Sequence, residues 1–492
     1  MTHAAIAGPA DGTKMNRQDE PFPKTKIVCT IGPASRDVGT LHALCEAGMD
    51  VARLNMSHSS PDEVRAAARM LRESAGSSDR PLALLVDLQG PKIRLGDLSE
   101  PVRIESGAQV VLSPAAAALR DELPVTYDEL ADDLAAGNRV LLNDGRIELR
   151  VSDVRPPKVV CEAITAGEVT SGKGINLPGV HVGAPALTDK DMQDIELALE
   201  IEADYLALSF VRSAENVREL RRRVPDDTLI MSKIEKDVAL DELESILEAS
   251  DAVMVARGDL GTELPFEQVP LIQKRIVRRA NDLHRPVIIA TEMLESMIER
   301  PRPTRAEVSD VANAILDGTD AVMLSAETAI GRHPVDSVRA LSRVIRAVES
   351  SGSQVVGTPP YDVPASTEED GPMSTEAAVA IATKEAVRAV GAPAVLSFTR
   401  SGFTARLVSS RRPPVPIVAV TDSERVRRQL SLVWGVLPVV SQSDPSYDEM
   451  WRLGRAEIVR RGLATPGDRI VVTAGMPFHV QGTTNMVRIE TV

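Results

Sequence analysis

The sequence predicts an α/β protein: a (β/α)8 TIM barrel with an inserted small β domain, followed by a separate C-terminal α/β domain. Three observations predict it. Apolar strand-like runs alternate with helical spacings through residues 24–89 and again through 186–350. Between them, residues 90–185 lose the helical spacing and read as short β segments and turns. After residues 351–373, a linker rich in Gly, Pro, Ser and acids, a second alternation occupies 374–492. Buried parallel strands read as continuous apolar runs. Three such runs before the insert and five after it make eight, the number that closes a barrel.

In chain order, residues 1–23 are polar, lack the apolar core of a signal peptide and are expected to form a disordered tail. Thr25–Ile31 is the first strand, stopped by Gly32-Pro33. Asp37–Gly48 has helical spacing at Val38, Leu41, Leu44 and Cys45, and Pro61 opens a helix over Asp62–Arg72. Asp50–Asn55 and Leu82–Leu88 are the second and third strands. In the insert, Val102–Glu105, Val110–Leu112, Arg139–Leu142, Ile147–Val151 and Val159–Ile164 read as strands, with a hairpin turn at Asn143-Asp144-Gly145. A helix over Thr188–Glu200, capped by Thr188 and Asp191, resumes the series. Strands follow at Tyr205–Phe210, Leu229–Ile234, Ala252–Ala256, Val287–Ala290 and Ala321–Leu324. Helices at Val217–Arg223, Leu240–Glu248, Leu271–Leu283, Arg305–Leu316 and Val335–Glu349 separate and follow them. The last domain reads as helices over Thr375–Val390, Arg406–Ser410, Glu424–Leu432 and Tyr447–Arg461, with strands at Pro393–Phe398, Val415–Val420, Arg469–Thr473 and Met486–Glu490.

Composition narrows the function. The 492 residues are 43% hydrophobic but only 2% aromatic, so the cores must be aliphatic. A net charge of −15 argues against nucleic acid as a partner, because phosphate backbones need concentrated Lys and Arg. Small phosphorylated ligands need only a local cationic pocket. Cys29, Cys45 and Cys161 are widely spaced, which predicts a reducing cytoplasm and no zinc site. With no run of 18 apolar residues, no membrane span is expected.

Two short strings carry the chemistry. Met231-Ser232-Lys233-Ile234-Glu235 and Val253 to Asp259 are apolar runs that end abruptly in charge. Period-two geometry puts Lys233 and Glu235 on one side of their strand. Either string alone equally suits an ordinary salt-bridged strand end. Other strand ends add Arg53, Asn55 and Ser57, then Asp87, then Thr291 and Glu292. Cations, acids and hydroxyls converging on one rim suit a phosphorylated carboxylic acid with a metal. Arg53 and Lys233 are the natural phosphate partners, and Glu235 and Asp259 the natural Mg2+ ligands. Gly258 lets a backbone N–H approach a ligand, and Thr291 is placed to bond a carboxylate or relay a proton.

The segments TKIVCTIGPAS, AGMDVARLNMSHSS, GPKIRLG, KGINLPGV, SKIE, VMVARGDLG, ATEMLESM and PRPTRAEVSDVANAILDGTDAVMLSAETA run in the order found in pyruvate kinases, and the chain resembles that family. The resemblance implies phosphoryl transfer from phosphoenolpyruvate to ADP with Mg2+, giving pyruvate and ATP. It implies that Lys233 stabilises the moving phosphoryl group, that Arg53 holds substrate phosphate, and that Thr291 lies in the proton-donating region. By the same resemblance Asn55, Met56, Ser57, His58, Arg94 and Lys173 contact the nucleotide, and the insert acts as a β-barrel lid. A barrel aldolase or mutase acting on a pyruvate enolate would lack the insert that carries Arg94 and Lys173.

One departure matters. The usual family pattern Asp-Thr-Lys-Gly-Pro-Glu is here Asp87-Leu88-Gln89-Gly90-Pro91-Lys92. Asn55, Ser57 and Asp87 match three of four K+ ligands in the family, but Leu88 lacks the fourth oxygen. Lys92 brings a fixed ammonium in place of the ion, so K+ is not expected to be required. Glu292 stands where Gln is common, with no role assigned. In the last domain, Thr399, Arg400, Ser401, Gly402 and Thr404 precede and open a helix and suit a phosphorylated effector, with Gly482 to Asn485 placed to close over them. The family typically forms homotetramers.

Overall fold

Eight strands, each apolar on both faces, need cover inside and outside, and closing on themselves supplies both. A computed structural model describes residues 22–57, 59–76, 80–351, 373–442, 446–477 and 483–492. Lys26–Ile31, Val51–Asn55, Ala83–Asp87, Tyr205–Leu208, Leu229–Ile234, Ala252–Ala256, Val287–Ala290 and Ala321–Leu324 form one closed parallel barrel. Each strand pairs with its sequence neighbours, and the eighth pairs with the first. The outward residues pack against the helices in one large core, whereas Val28, Val51, Leu85, Tyr205, Ala207, Met231, Met254 and Ile288 fill the interior.

The helices begin and end where their caps are. Asp37 accepts the N–H of Thr40 at 3.0 Å, and Gly48, with φ of 123°, ends that helix. Thr188 and Asp191 form the reciprocal capping box expected of them. The helix Arg257–Glu263 was not expected, because Gly258 and Gly261 lower its intrinsic propensity, and neither were the one-turn helices Leu130–Asp133 and Ala326–Ala329.

The insert is a six-stranded sheet and a two-stranded ladder around one core that includes Ile104, Leu112, Val140, Leu149, Cys161 and Val169. Three of its strands, Leu123–Val125, Gly167–Val169 and Ile175–Asn176, are too short to show in sequence periodicity. Its two roots are tied together: Leu95 N–H donates to the Lys173 carbonyl at 2.8 Å, and Arg94 bridges Gly174.

The C-terminal sheet runs Val436–Val440, Ile417–Thr421, Val395–Phe398, Arg469–Ala474, Met486–Thr491, parallel except for the last strand. Val436–Val440 escapes sequence reading because Pro438 interrupts it, which an edge strand tolerates. This domain stops the amino end of the barrel. Leu432 joins the interior cluster, and the Tyr205 hydroxyl donates to the Gln429 carbonyl at 2.7 Å. Of the expected tail, residues 1–21 lie outside the described residues; Phe22 packs against the C-terminal core. The linker expected at 351–373 also lies outside them, apart from its two end residues.

Candidate active site

Strand period sets the composition of the barrel mouth. Val51, Leu85, Ala207 and Met231 belong to the apolar interior. Two positions further along the same strands stand Arg53, Asp87, Ser209 and Lys233. They face the same way as the residues beneath them, so they meet in one ring.

The ring is tightly bonded. Lys233 Nζ lies 2.9 Å from Glu235, 3.2 Å from Asp87 and 2.8 Å from Ser209 Oγ. The other Asp87 oxygen accepts Arg53 Nε at 2.7 Å, and Arg53 Nη1 donates to Thr30 Oγ1 at 2.9 Å. Glu235 Oε2 accepts the Phe210 N–H at 2.8 Å. Burial opposes the charge on Lys233, but Asp87 and Glu235 overcome that and raise its pKa. Burial pushes the Asp87 carboxyl up, yet Lys233 and Arg53 outweigh it and hold it below the usual carboxylate range. Glu235 goes the other way: burial raises its pKa, Lys233 opposes this, and the negative charge of Asp259 reinforces it.

Asp259 occupies the first turn of the helix Arg257–Glu263 and lies 3.6 Å from Lys92 Nζ. The sequence put Lys92 with Asn55, Ser57 and Asp87; its ion pair here is with Asp259 instead. Asn55 does sit opposite Asp87 in strand register, and its side chain accepts the Ser57 N–H at 3.0 Å. Leu88 is buried in the core. Gly258 N–H donates to Thr291 Oγ1 at 2.7 Å, and that hydroxyl donates to the Ala290 carbonyl at 2.6 Å. Thr291 and Glu292 have φ of 69° and 55°, left-handed values that cost about 1–3 kcal/mol each in a side-chain-bearing residue.

A cleft of about 970 Å³ opens between Asp144 and Arg146 of the insert and Lys92, Gly258, Asp259, Thr262 and Glu292 of the barrel side. Divalent metal suits these donors. Mg2+ takes one or two protein carboxylates and leaves other positions to water and substrate oxygens. The negative charge of Asp259 helps raise the Glu235 pKa, and a cation held by both carboxylates would relieve that repulsion.

Among the remaining expected residues, Met56 is buried in the core and its carbonyl accepts Lys190 Nζ at 2.9 Å. His58 lies outside the described residues. Arg94 Nη1 donates to the Gly172 carbonyl at 3.0 Å, and Lys173 is exposed at the root of the insert. In the C-terminal domain, Gly402 takes φ of 80°, Thr399 N–H donates to Val420, and Arg400 lies 3.7 Å from Asp422. Arg406 donates to the Ser401 carbonyl at 3.2 Å, and the Thr404 hydroxyl pairs with that of Thr484 at 2.8 Å. Gly482 is outside the described residues. Sequence reading missed Ser209 and Thr30. Ser209 directly follows an apolar strand run, so the rule that found Asp87 would have found it; Thr30 stands one residue inside the end of its strand and gives no such signal.

Residues 22–338 match the family described as pyruvate kinase, barrel domain, and residues 377–490 that described as pyruvate kinase, alpha/beta domain. A pyruvate kinase of Mycobacterium tuberculosis is 42% identical over 477 residues, covering 94% of this chain and 98% of its own. One of Staphylococcus haemolyticus is 42% identical over 477 residues, covering 95% and 80%. The crystal structure of a pyruvate kinase from Cryptosporidium parvum aligns with a TM-score of 0.87 at 33% identity, covering 95% of this chain and 96% of that one. With both domains matched and the relatives aligned over 94% or more of this chain, the chain belongs to the pyruvate kinase family of phosphotransferases.

Proposed function

We propose that the protein transfers the phosphoryl group of phosphoenolpyruvate to ADP, giving ATP and, after protonation of the enolate, pyruvate. The observation that carries this is the buried Lys233 ammonium, fixed among Asp87, Glu235 and Ser209 at the barrel mouth. Charge spreads over the oxygens of a phosphoryl group in flight, and a preorganised ammonium stabilises it without reorganising. Arg53, held by Asp87 and Thr30, orients the donor phosphate. Mg2+ held by Glu235 and Asp259 would neutralise charge on the substrate carboxylate and phosphate. Thr291 belongs to the proton-delivering region, and its hydroxyl must turn from Ala290 to serve there.

The working division is a catalytic barrel (24–89 and 186–350), a lid (90–185) and a regulatory domain (374–492). Lid closure would bring Arg94 and Lys173 over the nucleotide, beside Asn55, Met56, Ser57 and His58, and exclude water that would hydrolyse the donor. The loop from Thr399 to Thr404 is the proposed effector site for a phosphorylated metabolite. A cytoplasmic homotetramer completes the reading; among the described residues no helix is long and apolar enough to cross a membrane.

The test is a lactate dehydrogenase-coupled assay with phosphoenolpyruvate, ADP and Mg2+, repeated with sugar phosphates or AMP. Failure to form ATP overturns the proposal. Turnover is expected to be unchanged when K+ is removed, because Lys92 supplies a fixed positive charge. Leu88→Thr with Lys92→Glu is expected to create K+ dependence; a K+ requirement in the unmodified protein refutes this part.

A further inference from the structure

Arg257 directly follows the sixth barrel strand and starts the short helix that carries Asp259. No step of the proposed chemistry falls to it, yet its side chain is only 9% exposed and heavily bonded. Nη2 donates to the Thr291 carbonyl at 2.7 Å and the Glu292 carbonyl at 3.3 Å, and lies 2.9 Å from Met293 Sδ. Nη1 is held by Asp310 at 2.7 Å and by Gln273 at 3.4 Å. In the same segment, Gly258 N–H reaches the Thr291 hydroxyl at 2.7 Å. Residues 257 and 258 therefore grip Thr291 by both its carbonyl and its side chain.

The gripped turn is the strained one. Thr291 and Glu292 are consecutive left-handed residues, and the first is β-branched, which makes that backbone a genuine outlier. Such a pair persists only where its surroundings over-determine it. A planar guanidinium can reach two successive carbonyls while keeping an ion pair behind it; an ammonium, a point charge, does this poorly.

We infer that Arg257 is a positioning residue that locks the Thr291–Glu292 turn onto the segment bearing Asp259. The metal carboxylate and the proton-delivering hydroxyl are thereby fixed to one another. This rests on the reading of Thr291 as part of the path by which the enolate carbon takes up its proton.

Arg257→Lys keeps the charge beside Asp310 and loses the fork. Three readouts are needed on the full-length protein: steady-state transfer, exchange of pyruvate methyl hydrogens with D2O by proton NMR in the presence of Mg2+ and ATP, and binding of Mn2+ alone by electron paramagnetic resonance. Exchange and kcat are expected to fall about tenfold to hundredfold, the scale of a small misplacement, with KM and Mn2+ affinity unchanged. Adding Glu292→Gly, which takes a left-handed backbone without strain, is expected to restore part of both. Unmodified exchange in Arg257→Lys, a parallel loss of Mn2+ affinity, or no rescue by Glu292→Gly overturns the inference. If Arg257→Lys yields no folded protein, Arg257→Gln, which retains one donor for the Thr291 carbonyl, carries the same test. Thr291→Val separates the two ideas. Normal exchange there sinks the role of Thr291, whereas loss there with normal exchange in Arg257→Lys sinks the clamp.

Discussion

The two ends of the barrel use the same side chains to opposite ends. At the amino end, Asp204 accepts Arg72, Arg428 and the Leu84 N–H, and Asp320 accepts both Nη atoms of Arg412 and the N–H groups of Val287 and Trp434. These carboxylates are saturated by the chain itself, and the result joins the barrel to the C-terminal domain. At the carboxyl end, Lys233, Asp87 and Glu235 are buried too, but Asp259 is half-buried and, among the described residues, its ion pair is with a partly exposed Lys92 at 3.6 Å. A carboxylate short of partners at the rim of a buried charged ring leaves capacity for a ligand. What separates a joint from a site is the number of bonding positions left open, not the residue types.

Three changes probe that contrast, the largest effect first. Lys233→Met is expected to lower kcat by about a hundredfold or more, since one preorganised donor is worth about that much. A coupled assay measures it, with circular dichroism to confirm folding; near-normal kcat would deny the mouth its chemical role. Asp320→Asn is expected to cost about 3–5 kcal/mol of stability by stranding a buried Arg412, while kcat at low temperature stays unchanged. Thermal melting and the same assay test this, and a matching loss of kcat would mean that the two ends are not separable. The third change is in pH. The folded-state pKa of Glu235 is raised, so its stabilising contribution is present below the unfolded carboxylate range and is lost as pH rises through the folded value. A divalent cation offsets that loss, so the rise in melting temperature on adding Mg2+ should grow with pH across this window. A rise independent of pH would show that Glu235 is not where the cation acts.

The barrel was legible because each strand is buried on both faces, as in Val253-Met254-Val255-Ala256, and turn residues punctuate every run. Lys233 and Glu235 were legible for a related reason, since charge that abruptly ends a buried run needs explaining. Leu123–Val125 and Gly167–Val169 were not, because three residues hold no period and exist as strands only through their partners. Lys92 shows the limit of motif reasoning. Its identity was clear from the sequence, but which acid it meets depends on where the root of the insert crosses the barrel mouth. Arg257 stood out as a charged strand end, yet its bonds to the Thr291 and Glu292 carbonyls join neighbouring strand ends far apart in the sequence.

The alternation that sets Arg53 above Val51, Asp87 above Leu85 and Lys233 above Met231 also limits how this chain can change over generations. Inserting or deleting one residue within any of those strands would rotate its charged tip into the helix-facing hydrocarbon and turn an outward-facing neighbour inward. The connecting loops carry no such parity. Relatives that keep the chemistry should therefore differ in length between strands and hold strand length constant at these three positions.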